Sequence, residues 1–155
     1  MRGRLGLGVV LAAIASGCGE GEERAPSACL GGPAAYLEAL QAAPEPVRLA
    51  PGAAISSCLV EDQRAGELAR VGMAVVRAAT ELNERARGAP EGVASVQLGY
   101  LVGALRSGAE DTAGIHADLL RRIEAAAELS PGGGSLPRPL ATRYASGIEA
   151  GRRGG

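Results

Sequence analysis

The chain contains no phenylalanine, no tryptophan and no lysine, and its only aromatic residues are three tyrosines. A core without large rings must be assembled from Leu, Val, Ile and Ala, which suits closely packed helices better than a sheet sandwich. Every one of the sixteen cationic residues is therefore an arginine. With so much Gly, Ala and Pro alongside, this reads as coding bias rather than as an arginine-specific function. A net charge of −1 and the lack of an aromatic platform exclude the basic, stacking surface of a nucleic-acid binder. Histidine occurs once, at His116. A helical metal site needs paired histidines or repeated Glu-x-x-His, so no metal or other cofactor is expected. The run Gly132–Gly134 lacks the following Lys and Ser/Thr of a P-loop and the strand that would precede it, and reads as a linker.

What is present is organised around Val93 to Leu105, an uncharged stretch that is apolar nearly all round a helical wheel. Such a helix belongs in the middle of a bundle. Gly99 and Gly103 share one of its faces, and each costs roughly 1 kcal/mol of helix propensity against alanine. Close approach of a neighbouring backbone is the natural compensation. The spacing predicts an all-α domain of four to five helices around a central apolar helix at about 92–107.

The first residues read as a targeting segment. Arg2 and Arg4 form a positive n-region, and Leu5 to Ala15 an apolar run well short of the roughly 20 residues that span a bilayer. Ser16, Gly17 and Cys18 follow, and this leader resembles that of bacterial lipoproteins, whose lipobox ends in an invariant cysteine. Ala15 departs mildly from the leucine usual in that class. The resemblance covers the leader alone. It implies cleavage before Cys18, acylation of that cysteine, and a membrane-anchored protein of the cell envelope, outside the cytoplasm. The competing reading is ordinary secretion, with Ala13 and Ala15 as an A-x-A site. One acyl chain attaches a protein only marginally, whereas two or more hold it stably.

On this reading residues 1–17 are the signal peptide, 18–28 a solvated tether containing Glu20, Glu22 and Glu23, 29–150 a single domain, and 151–155 a frayed tail. Pro33 opens a first short helix carrying Tyr36, Leu37 and Leu40. Prolines 44, 46 and 51 with Gly52 then define an extended, ordered loop, after which Ser56 or Ser57 caps a long helix over Cys58 to Arg87. Leu68, Val71, Val75, Ala79 and Leu82 supply its apolar face. Arg77–Glu81 and Glu81–Arg85 are i,i+4 pairs on the wet face. A fourth helix, capped by Asp111 or Thr112, buries Ile115, Leu119, Ile123 and Ala126. A last, weaker one carries Leu140, Tyr144 and Ile148.

Chemistry-bearing residues are few. His116 sits at the shoulder of the fourth helix's apolar face, where a structural role is expected; a catalytic one would need a nucleophile and an orienting acid beside it. Gln97 and Tyr100 either satisfy nearby groups or line a small ligand pocket. The odd cysteine count is resolved if Cys18 is acylated, leaving Cys29 and Cys58 to pair in an oxidising compartment. The expected function is therefore binding, to an envelope partner or a small apolar ligand, by a protein held to the membrane through its lipid. The alternatives are a structural spacer without ligand and a small hydrolase-type enzyme using His116. Oligomeric state cannot be read from these residues.

Overall fold

The computed structural model describes residues 24–110, 112 and 114–155; the leader, Cys18, the three tether glutamates and Asp111 lie outside the described residues. These build an all-α bundle of five α-helices: α1 (Gly32–Ala39), α2 (Ala65–Gly88), α3 (Ala94–Glu110), α4 (Ala117–Ala126) and α5 (Arg138–Gly154). Three short 3-10 turns join them, at Ser27–Leu30, Leu40–Ala42 and Ser56–Cys58. No strand and no helix long and apolar enough to cross a membrane occurs among the described residues.

The central helix is α3. Leu98, Tyr100, Leu101, Val102, Ala104 and Leu105 are all buried, as a helix apolar on every side requires. Val93 falls just outside it and is 64% exposed, so the apolar wheel starts one residue too early in the sequence. The principal partner of α3 is α5, the least hydrophobic of the five helices. The contact is made by glycines on both sides. A Cβ built on Gly99 would overlap the carbonyl oxygen of Tyr144, and one on Gly103 that of Ile148. Reciprocally, a Cβ on Gly147 would overlap the oxygen of Val96, and one on Gly151 that of Tyr100. Positions rise together along both helices, so α3 and α5 run parallel. Tyr144 and Ile148, expected to face the core, are only half-buried; it is their main chain that enters the seam. The seam also explains why residues 151–154 continue α5 as helix where fraying was expected: Gly151 is buried between Tyr100 and Ala104.

Helix α2 presents Val71, Val75, Ala79 and Leu82 inward, as their spacing dictates, and Glu81 pairs with Arg85 and not, as was also expected, with Arg77. It starts at Ala65, seven residues later than expected. Ser57 donates its hydroxyl proton to the Ala54 carbonyl at 2.7 Å, closing a 3-10 turn where it was expected to cap a helix. Helix α4 lies along α2, with Leu119 against Gly72 and the Asn83 amide donating to the Glu128 carbonyl at 2.8 Å. Leu119 and Ile123 are buried, but Ile115 is 53% exposed because the chain turns at Gly114 (φ 84°) and helix starts only at Ala117.

The loop between α1 and the Ser56–Cys58 turn is part of the core. Val47, Leu49 and Ile55 are fully buried. A tight turn closed by Leu49 and Ala53 lets the chain reverse through Gly52 at φ 139°, a conformation that side chains resist.

Candidate functional site

Cys29 and Cys58 are joined as a disulfide with their Cα atoms 5.5 Å apart. The bond ties the turn before α1 to the 3-10 turn at Ser56–Cys58. Because α2 begins well after Cys58, the link places the entrance of α1 beside the end of the buried loop and sets no direction for α2. Tyr36, fully buried on α1, donates its hydroxyl proton to the Cys29 carbonyl at 3.0 Å and stands 3.4 Å from the Cys58 sulfur. Burial raises its pKa above the ordinary tyrosine value, so the ring stays neutral and remains a donor.

Tyr100 is fully buried too, and its oxygen accepts from the Val47 N–H at 2.9 Å. Its polar end therefore holds the loop against α3 and does not line a cleft. Gln97 is buried on the same helix. The glycine run at 132–134 is an exposed turn in which Ser130 binds the Gly134 carbonyl at 2.6 Å.

His116 is 1% exposed. Its Nε2 lies 3.1 Å from Gln63 Oε1, and the other end of that amide donates to the Cys58 carbonyl at 3.1 Å. The Gln63 oxygen can only accept, so Nε2 carries a proton. Nδ1 lies 2.9 Å from the Thr112 hydroxyl, whose single proton is shared between the ring and the Ala109 carbonyl at 2.8 Å. A polar thread thus runs from the end of α3 through Thr112, His116 and Gln63 to the disulfide. Gln63 was not singled out from sequence; nothing in its surroundings there distinguishes it from a surface glutamine.

Burial lowers the proton affinity of His116 below the usual histidine value of about 6.5. The folded state therefore favours the neutral ring. Its contribution to stability is complete above about pH 6.5 and declines as the pH falls from there toward the depressed folded value. Urea midpoints measured between pH 7.5 and 5.5 should fall with acidity in the wild type. The same series on His116→Gln should be flatter; an equal slope in both would show that the ring titrates as it does in the unfolded chain.

Among the described residues no group of three His, Cys, Asp or Glu side chains could hold a metal ion. The surface carries several open clefts. One of about 470 Å³ lies between α2 and the end of α4, floored by Asn83 and edged by Glu84, Arg87 and Glu128. Another of about 490 Å³ lies between α1 and the proline-rich loop, bounded by Glu38 and Arg48. A smaller one of about 260 Å³ separates α2 from α4, where Leu68 and the exposed Ile115 face Asp118 and Arg122. The smallest, of about 140 Å³, opens beside Met73 at the start of α1. No family model, no curated protein and no solved structure matches this chain.

Proposed function

We propose that the chain is a lipid-anchored protein of the cell envelope, outside the cytoplasm, whose helical domain acts by binding an envelope partner or a small apolar ligand. The observation that supports it most is the pairing of Cys29 with Cys58. Of three cysteines this leaves Cys18 alone, directly after Ser16 and Gly17 and at the end of a leader with a positive start and an apolar middle. A disulfide persists in an oxidising compartment, which agrees with export. The engagement of both ring nitrogens of the buried His116 by Thr112 and Gln63 supports a structural role for that residue and speaks for binding over hydrolysis.

The test is Cys18→Ala. The variant should leave the membrane fraction almost entirely or accumulate as the uncleaved precursor, and mass spectrometry of the wild type should show an acylated Cys18 as the first residue. An unmodified thiol at Cys18, or a mature chain starting at Ser16, would replace this reading with ordinary secretion.

A further inference from the structure

We infer that the cleft beside Met73 is the face on which the domain rests on an anionic phospholipid surface. The inference builds on the anchored reading. The cleft is lined by Leu30, Gly32 and Pro33 from the entrance of α1, and by Arg70, Met73, Ala74 and Arg77 from α2. Met73 is 50% exposed, one of three large apolar side chains on the described surface. Arg70 and Arg77 stand on either side of it along α2 at helical spacing, both exposed and neither in an ion pair among the described residues. An apolar centre flanked by two unneutralised guanidinium groups matches the boundary between acyl chains and anionic headgroups.

The position of the anchor selects this occupant. Among the described residues packing starts at Ala25, which is buried, and the cleft begins five residues on, at Leu30. Cys18 and Ala25 are only seven chain steps apart. Fully extended that span reaches about 25 Å, and as a flexible coil about 15 Å. An acylated Cys18 therefore keeps the entrance of the domain close to the headgroups, and the charged, apolar rim of that entrance is the surface within reach. Ile115 lines a different cleft, beside Asp118, whose carboxylate an anionic surface would repel. Val93 follows the far end of α2, some 15 residues and about 22 Å along the helix axis from Met73.

The chain has no tryptophan, so Met73→Trp introduces a lone fluorescent reporter that also favours a membrane interface. Processed protein would be placed in vesicles of phosphatidylcholine with or without one third phosphatidylglycerol, each doped with a headgroup-depth nitroxide lipid. If its Cys18 proves unacylated, the anchored reading fails by mass, and the free thiol is coupled to a maleimide phospholipid so that the face is still tested. Emission from position 73 should shift to the blue and be quenched on the anionic vesicles, while a Val93→Trp reporter should stay solvent-like. Each arginine close to an anionic surface changes the ratio of seated to lifted domain about fivefold. Arg70→Gln with Arg77→Gln should thus lower it about 25-fold, and 0.5 M salt should act in the same direction. Solvent-like, unquenched emission from position 73 on both vesicle types would overturn the inference. So would protection seen only in native membranes, which would assign the cleft to a protein.

Discussion

Gly103→Ala is expected to lower the free energy of unfolding by about 2–4 kcal/mol, although alanine is the better helix former by about 1 kcal/mol. The Cβ it adds would coincide with the carbonyl oxygen of Ile148, a main-chain atom that no rotamer change can move aside. The two helices would have to separate. That would loosen the contacts at Gly99, Gly147 and Gly151 as well, since all four share one seam. Gly147→Ala should behave alike, because its Cβ meets the Val96 oxygen. Gly66→Ala is the matched control. It lies in the first turn of α2 with nothing within 4 Å of the added carbon, so only the propensity acts there, stabilising by up to about 1 kcal/mol. Urea unfolding followed by circular dichroism measures all three. A wild-type midpoint for both seam variants would show that α3 and α5 do not touch through their glycines. A domain of this size is stable by about 5–15 kcal/mol in all, so either seam variant removes a large share.

Removing the disulfide should have an effect of similar size. Cys29 and Cys58 are 29 residues apart, and closing such a loop restricts the unfolded chain by about 3–4 kcal/mol on the chain-entropy treatment. Cys29→Ala with Cys58→Ala should therefore lower the urea midpoint by a comparable amount, and reduction of the wild type should reproduce the shift. One further loss would add to it in the double variant: the Tyr36 hydroxyl loses its sulfur neighbour. Tyr36→Phe separates these contributions: it leaves the Cys29 carbonyl without that donor while keeping the covalent link, at about 1–2 kcal/mol. Midpoints that do not move on reduction would mean that the buried loop keeps its place without the bond. The expectation is the opposite, because Val47, Leu49 and Ile55 belong to no regular element that could hold them in the core.

The sequence by itself determined the helical class, the central helix and the pairing of the cysteines. Residues 93–105 are apolar on every side, a pattern that only the middle of a bundle satisfies. The stripe from Val71 to Leu82 repeats at helical spacing, and with Cys18 read as the acylated residue two of the three cysteines are left to pair. Such features are legible because they follow from chemistry local to the chain: periodicity, charge and count. The resemblance of the leader to a lipobox is legible in the same way, and Cys18 lies outside the described residues.

Tertiary structure decided the rest. The importance of α5 was hidden because its contact surface is glycine, and glycine carries no hydrophobic signal. Gly99 and Gly103 announce that some backbone comes close, but Gly147 and Gly151 become its counterpart only once the helices lie parallel. The buried loop was hidden because a hydrophobic period needs a regular element to count along, and Val47, Leu49 and Ile55 lie among prolines and turns. The start of α2 was misplaced because Ser56 and Ser57 look like caps, and their hydroxyls serve equally well in a 3-10 turn. His116 and Gln63 are 53 residues apart and meet only across the packed bundle. In each case the deciding contact joins segments distant in sequence, and no local pattern encodes which backbone, carbonyl or side chain will arrive on the other side.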